Sequence, residues 1–121
     1  MTVAVLGASD NPERYSYLAV KLLLEKGHQV FPVHPKLKEI QGQKVYASLN
    51  EVPKPVHTLT LYVGMEMSSK LADEILRLKP ARIIFNPGAE NQELERTASA
   101  QGIKTLEACT LVLLRTNQFD R

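Results

Sequence analysis

Short apolar runs alternate with amphipathic segments along this chain, and that alternation constrains the fold more than any other feature. Residues near 2–6, 29–33, 58–63, 82–86 and 104–108 form strand-like runs, most of them bounded by Gly, Pro or Asn. Strands that alternate with helices build right-handed βαβ units, so the strands lie parallel and are covered on both faces. The sequence therefore predicts an α/β fold of three layers, with a parallel sheet of five to six strands and helices on both faces.

The segments between the strands carry apolar side chains at helical spacing. The predicted apolar stripes are Tyr15, Leu18, Ala19, Leu22 and Leu23; Met67, Leu71, Ile75 and Leu78; and Leu94, Thr97 and Ala98. Gly27 and Pro80 are the expected ends of the first two of these helices. Val45–Val52 is predicted as a brief edge strand plus one helical turn, in which Ser48 and Glu51 have the spacing of a capping box.

Size and composition limit the classes of protein that fit. With 121 residues, 44% of them hydrophobic, the chain is predicted to form one domain over residues 1–121. The net charge of +2 is too small to indicate nucleic-acid binding. No apolar run approaches membrane-spanning length and no signal sequence is visible, so no membrane association and a cytoplasmic location are expected. The single Cys109 excludes an internal disulfide and a cysteine-based zinc cluster.

The first strand-like run ends in Gly7-Ala8-Ser9, and a helical pattern follows Pro12. This is the layout of the phosphate-binding first βα turn of Rossmann-like folds, because glycine permits close approach of a ligand and the next helix presents unpaired N–H groups. The match to the dinucleotide fingerprint is incomplete, since its second and third glycine positions fall on Ser9 and Pro12. A tight turn with a helix cap at Ser9 or Asp10 explains the same residues without a ligand.

The residues after the second predicted strand separate the nucleotide classes. An NAD site normally places Asp or Glu there to bind the ribose hydroxyls. Here the chain reads Val33-His34-Pro35-Lys36. A cation at that place suits a ribose that bears a phosphate, as in NADP or in the 3′-phosphorylated ADP of coenzyme A. The alternative is that Lys36 and Lys38 belong to a solvated loop.

Four segments together resemble a known family. They are V-L-G-A-S-D-N-P-E-R at 5–14, F-P-V-H-P at 31–35, N-P-G-A-E-N at 86–91 and E-A-C-T at 107–110. The chain resembles the small stand-alone CoA-binding proteins, which are similar to the N-terminal CoA-binding domain of the succinyl-CoA synthetase α-subunit. The resemblance covers nearly the whole chain, and each segment falls at the carboxyl end of a predicted strand.

The resemblance implies coenzyme A as the cofactor and a set of binding residues. Those implied for the phosphates are Gly7, Ala8, Ser9, Arg14 and Ser16; those beside the ribose and its 3′-phosphate are Val33, His34, Pro35 and Lys36; and those lining the same cleft are Asn86, Pro87 and Gly88. Many relatives have Asn in place of His34, and an Arg or Pro segment in place of Tyr62-Val63-Gly64-Met65. The phosphorylated histidine of the ligase belongs to another domain, so ligase chemistry is not expected to accompany the fold.

Three functions fit these observations. The first is a module that binds coenzyme A or an acyl-CoA as a carrier, sensor or accessory unit, with a protein partner or a homodimer allowed. The second is a small NADP-binding oxidoreductase, and the third is an interaction subunit with a vestigial nucleotide pocket. No catalytic residue and no metal ligand is predicted. Cys109 is interpreted as a small buried thiol, and the alternative is a mixed disulfide with the thiol of coenzyme A.

Overall fold

The computed structural model of the protein describes residues 1–120. Along the chain the elements are β1 (Thr2–Leu6), α1 (Tyr15–Glu25), β2 (Gln29–Val33), β3 (Glu39–Ile40), β4 (Gln43–Lys44), a 3₁₀ helix (Leu49–Glu51), β5 (Thr58–Leu61), α2 (Met65–Lys70), α3 (Ala72–Leu78), β6 (Arg82–Phe85), α4 (Gln92–Ala100), β7 (Lys104–Glu107) and α5 (Thr110–Arg115). None of these helices is long and apolar enough to cross a membrane.

Five strands form one sheet in the order β2-β1-β5-β6-β7, and all of its neighbouring strands pair in parallel. The strands β3 and β4 form a separate antiparallel hairpin within the crossover from β2 to β5. The chain moves outward from β1 to β2 and then crosses to the other side of β1, so the strand order reverses between β1 and β5. Ligands of open parallel sheets bind beyond the carboxyl ends of the strands at such a reversal.

The two faces of the sheet carry separate apolar clusters, because successive residues of a strand point to opposite faces. Val3 and Val5 of β1 pack in the cluster that includes α1 and α5. Ala4 and Leu6 pack in the cluster that includes α3, α4 and the 3₁₀ helix. The predicted α/β fold of three layers is therefore confirmed, with five strands in the parallel sheet.

Several local predictions are corrected. The predicted apolar stripe of the first helix includes Tyr15, but Tyr15 is 70% exposed. The buried face of α1 carries Ser16 and Val20 as well as Ala19 and Leu23. Ser48 precedes the 3₁₀ helix but its side chain makes no capping hydrogen bond, so the interpretation as a capping box is wrong. The brief edge strand is reduced to a single parallel bridge between Val33 and Tyr46.

Candidate functional site

Gly7 ends β1 at the point where the strand order reverses. Its φ is +90°, a conformation that side-chain-bearing residues rarely adopt. A Cβ atom there would lie 3.0 Å from Cγ1 of Val63 and 3.1 Å from the carbonyl carbon and oxygen of Tyr62. The backbone that follows β5 therefore crosses directly against the turn that follows β1, and only glycine fits the crossing.

The turn between Gly7 and α1 is shaped by short-range hydrogen bonds. Oγ of Ser9 accepts the N–H of Asn11 at 3.0 Å, and Oδ1 of Asn11 accepts the N–H of Glu13 at 3.0 Å. The N–H of Arg14 donates to the carbonyl of Asn11, and Arg14 then serves as the N-cap residue of α1. Because Ser9 accepts with its oxygen, its hydroxyl proton remains a donor for another group.

A cavity of about 490 Å³ lies over this turn, and we call it the turn cavity. It is lined by Gly7, Ala8, Ser9, Glu13, Arg14, Tyr15, Ser16, His34 and Tyr62. The first N–H groups of α1 have no intrahelical acceptor and carry the positive end of the helix dipole. Together with the Arg14 guanidinium they favour an anion, while Glu13 adds one carboxylate to the same wall.

A second cavity of about 360 Å³ adjoins the first, and we call it the apolar cavity. Its lining is Leu6, Gly7, Val33, His34, Pro35, Ala47, Ser48, Leu49, Val63, Met67, Leu71 and Glu74. Most of these side chains are aliphatic, which suits a flat apolar ring better than a charged group. Gly7 and His34 line both cavities, so the two form one cleft with a polar and an apolar half.

Tyr62 lines the turn cavity and was not predicted as a site residue. Its hydroxyl is buried and has no hydrogen-bond partner among the described residues. Burial raises the pKa of this phenol, while the nearby hydroxyls of Thr110 and Thr60 act in the opposite direction. Those two hydroxyls bond to each other at 2.8 Å. The Tyr62 hydroxyl is therefore enclosed by protein beside the Thr60 and Thr110 hydroxyls and does not open into the cleft.

The cleft brings together most but not all of the predicted binding residues. Gly7, Ala8, Ser9, Arg14 and Ser16 line the turn cavity, and Val33, His34 and Pro35 line the apolar cavity. Lys36 is exposed and lines neither cavity; its backbone N–H donates to the His34 ring. Its contact with a phosphate stays a prediction.

Asn86, Pro87 and Gly88 also lie outside the linings of both cavities. Asn86 is 2% exposed, and its side chain is engaged with protein atoms. Its Nδ2 donates to Oγ1 of Thr60 at 2.7 Å and to the carbonyl of Leu61 at 2.9 Å, while its Oδ1 accepts the N–H of Thr110 at 2.8 Å. Asn86 thus holds β5, β6 and α5 together beneath the cleft, and the ligand contacts of this loop stay predictions.

Tyr62 and Val63 are the clearest omissions of the sequence-based site. They follow β5 directly, in a segment that departs from the pattern of the resembling family. Their position at a strand's carboxyl end was a signal for them. Glu13 precedes α1 and Tyr15 is its first residue, and sequence spacing alone does not indicate that these two side chains face the cavity.

Cys109 is the N-cap residue of α5 and is half-buried as a free thiol. Among residues 1–120 no group of three or more His, Cys, Asp and Glu side chains could hold a metal ion. The chemistry offered by the cleft is therefore that of binding: backbone N–H groups, a guanidinium, hydroxyls, an imidazole and an apolar wall.

A doubly wound parallel sheet with a polar and an apolar cavity at its reversal point defines a nucleotide-binding type of α/β domain. Within that class the sequence profile of the CoA binding domain family matches residues 1–115. The chain belongs to the CoA binding domain family.

The chain is also similar to curated proteins and to solved structures. An uncharacterized protein, YneT, of Bacillus subtilis is 28% identical over 83% of this chain and 74% of its own length. The α-subunit of an ADP-forming acetate–CoA ligase of Pyrococcus furiosus is 29% identical over 98% of this chain, which spans 27% of that subunit. A crystal structure of an uncharacterized protein has a TM-score of 0.92 at 40% identity, covering 98% of this chain and 97% of the other.

Proposed function

We propose that the protein binds coenzyme A or an acyl-CoA in the cleft at the carboxyl edge of its sheet. The observation that carries this proposal is the pair of adjoining cavities that share Gly7 and His34. Coenzyme A joins a flat adenine to a chain of phosphates through a ribose. A cleft with an apolar half and an anion-favouring half matches that order of groups.

The turn cavity is the proposed place of the pyrophosphate. Backbone N–H groups at the start of α1, the hydroxyls of Ser9 and Ser16 and the guanidinium of Arg14 supply donors there. The apolar cavity is the proposed place of the adenine, between Val33 and Pro35 on one side and Val63 and Leu71 on the other.

The proposed role is that of a carrier, sensor or accessory module without ligase chemistry of its own. The proposal leaves out ligase chemistry because this chain spans only 27% of the length of the α-subunit of one ADP-forming acetate–CoA ligase. The described residues of the cleft provide donors and apolar contacts rather than a nucleophile with an adjacent base. Binding, rather than group transfer, is the activity those residues support.

Mass spectrometry of the ligand that co-purifies with the native protein, followed by calorimetry on ligand-free protein, tests the proposal. Coenzyme A should bind more tightly than dephospho-CoA, and both more tightly than NADP⁺ or NAD⁺. A free coenzyme A concentration about 100-fold above Kd should add about 2.7 kcal/mol to the free energy of unfolding. Equal binding of NADP⁺ and coenzyme A, or binding of neither, contradicts the proposal.

A further inference from the structure

Strand β7 is an edge of the sheet, and its outer side has no partner strand among residues 1–120. The opposite edge, β2, is covered by the protein's own chain: the N–H of Tyr46 donates to the carbonyl of Pro32 at 2.9 Å, and the N–H of His34 donates to the carbonyl of Tyr46 at 3.0 Å. An uncovered edge strand presents a row of backbone donors and acceptors to another chain. Of the two edges, β7 is therefore the one that another chain can extend.

The register with β6 determines which backbone groups of β7 point outward. The N–H groups of Lys104 and Ala108 donate to carbonyls of the β6 segment, each at 3.1 Å. In a parallel pair the residues of a strand direct their backbone groups alternately toward the neighbouring strand and away from it. Lys104, Leu106 and Ala108 therefore bond to β6 through their backbone. Thr105 and Glu107 direct two N–H and two C=O groups away from the sheet.

These outward groups are complementary to those of a second copy of the same strand. In an antiparallel pair the two residues of a hydrogen-bonded pair exchange both of their bonds. When Thr105 of one copy stands opposite Glu107 of the other, twofold symmetry makes two such pairs, and all the outward groups of both strands are bonded. Pairing Glu107 with Glu107 would oppose two carboxylates. Pairing Thr105 with Thr105 would leave the Glu107 carbonyl without a donor, because the N–H of Ile103 already bonds to the carbonyl of Ala98 at 3.1 Å.

The side chains of the edge fit this register. Leu106 falls on the twofold axis in a non-hydrogen-bonded pair, the type that brings opposite side chains closest together, so it meets its own copy. Leu106, Ala108 and Leu113 are only partly buried on the face of the sheet that packs against α5. Pairing would therefore remove further apolar surface from water. On the other face Glu107 lies across from Thr105 rather than from an acidic side chain.

We propose that the uncovered edge of β7 is the surface through which two copies of this chain associate, by antiparallel pairing centred on Leu106. The pairing joins the two five-stranded sheets into one continuous sheet. The proposal does not rest on coenzyme A binding, because the turn cavity and the apolar cavity are lined by other segments of the chain. A four-residue strand makes a small interface, so the dimer is expected to be weak and to depend on protein concentration.

Sedimentation equilibrium of the wild-type protein, from about 10 µM to about 1 mM, is the first measurement. The average mass should rise from that of the 13.5 kDa chain toward twice that mass. Thr105→Pro removes an outward N–H that the single chain does not use, and a proline is tolerated at such an edge position. It should weaken association about 30-fold, the effect of two hydrogen bonds lost across the twofold axis. Thr105→Val is the matched control, because it keeps the N–H and the strand propensity, and it should associate as the wild-type protein does.

Disulfide cross-linking tests the register, and it does not depend on the proline variant. Two single-cysteine variants, Leu106→Cys and Thr105→Cys, are made in a Cys109→Ser background. The Cα atoms of a non-hydrogen-bonded antiparallel pair lie about 4.5 Å apart, within the reach of a disulfide. Leu106→Cys should therefore form a covalent dimer with oxidised glutathione. Thr105→Cys should remain monomeric, because its two thiols are out of register with each other.

Three results overturn the proposal: a wild-type protein that stays monomeric over the whole concentration range, a folded Thr105→Pro variant that associates as Thr105→Val does, or cross-linking of Thr105→Cys in preference to Leu106→Cys. Far-UV circular dichroism establishes whether the proline variant is folded, and if it is not, the two cysteine variants decide the outcome.

Discussion

Gly7 shows how one residue can serve the fold and the site at once. The sequence favoured glycine there because a ligand would approach the turn closely. In the structure the close approach is made by the protein itself, since Tyr62 and Val63 crowd the position of a Cβ atom. Gly7→Val would therefore test stability and binding together rather than binding alone.

Gly7→Ala is predicted to destabilise the protein by about 1–3 kcal/mol, because alanine at a φ of +90° is strained and its Cβ meets backbone at 3.1 Å. Urea denaturation measures the change in the free energy of unfolding. Gly64→Ala is the matched control, since a Cβ at Gly64 has nothing within 4 Å and the residue borders the same edge of the sheet. Equal stability of the two variants would show that the crossing at Gly7 is not tight.

Arg14 and Lys36 are both exposed cations near the cleft, but only Arg14 lines a cavity. Arg14→Ala is predicted to weaken coenzyme A and dephospho-CoA alike by about tenfold, since the pyrophosphate is common to both ligands. Lys36→Ala is predicted to weaken coenzyme A more than dephospho-CoA, by only about threefold, the scale of an exposed ion pair. Both losses should shrink at higher salt.

Titration calorimetry of both ligands at two salt concentrations checks these effects. Arg115→Ala removes the same charge from the last turn of α5 and is expected to change neither affinity. Lys38→Ala is the corresponding control for Lys36 because it is an exposed lysine of the same loop. If Arg14→Ala binds both ligands with the same affinity as Arg115→Ala, the Arg14 guanidinium does not contact the ligand.

At the scale of secondary-structure elements, Asn86 links three of them below the cleft. Asn86 directly follows β6. Its side-chain amide donates to Thr60 and Leu61 of β5, and its side-chain oxygen accepts the N–H of Thr110, the first residue of α5. Asn86→Ala is predicted to lower the free energy of unfolding by about 1–3 kcal/mol, because the buried N–H of Thr110 loses its acceptor. Chemical denaturation of the ligand-free protein is the measurement.

Asn50→Ala is the control for this prediction, since Asn50 is exposed and bonds through Oδ1 to the exposed side chain of Arg77 at 2.9 Å. It should cost far less stability than Asn86→Ala. If the two variants are equally stable, a water molecule replaces the lost amide in Asn86→Ala and the tie between elements is not specific.

The regular elements were predictable because their periodicity is set by burial against a sheet. β1 and β2 begin and end at the predicted residues, whereas the runs at 58–63, 82–86 and 104–108 were predicted too long. Tyr62 and Asn86 were included in those strands, and both leave the sheet to build the cleft or its support. At the carboxyl end of a strand, residues that continue the pairing of the strands cannot be distinguished by sequence from residues that leave the sheet to line a site.

At the scale of the whole molecule, the cleft depends on contacts between segments that are distant along the chain, and no local sequence pattern encodes those contacts. Gly7 and His34 lie far apart along the chain and meet because β1 and β2 are neighbours in the sheet. The position of each on its own strand could be predicted, and so could the sheet edge that they share. The division into a polar and an apolar half could not, because it depends on side chains contributed by the 3₁₀ helix, α2 and the segment after β5.

A buried histidine lies at the edge of the sheet opposite the cleft, between the exposed N-terminus and the exposed Asp120. His28 is 9% exposed; its Nδ1 lies 3.1 Å from the amino group of Met1 and its Nε2 lies 3.5 Å from Asp120. Burial lowers the pKa of His28 below its ordinary 6.5, and the N-terminal ammonium, Arg82 and Lys26 act in the same direction, while Asp120 opposes them. Burial also lowers the pKa of His57.

A histidine whose pKa is lower in the folded state binds a proton less readily than in the unfolded chain, so acid favours unfolding. The stability that the neutral rings of His28 and His57 contribute is complete above the unfolded pKa near 6.5 and is lost as the pH falls toward the folded pKa values. The free energy of unfolding, measured with urea at about pH 7.5 and about pH 5.5, is therefore predicted to be smaller at the lower pH.

The double variant His28→Gln/His57→Gln should flatten this dependence, because glutamine keeps polar atoms but does not titrate. Glu95 acts in the opposite direction: burial and the neighbouring Glu107 raise its pKa, so the stability that its protonation contributes is lost as the pH rises. Glu95→Gln removes that contribution and should steepen the loss on acidification. Equal slopes in the wild-type protein and in the double histidine variant would show that His28 and His57 do not link folding to pH.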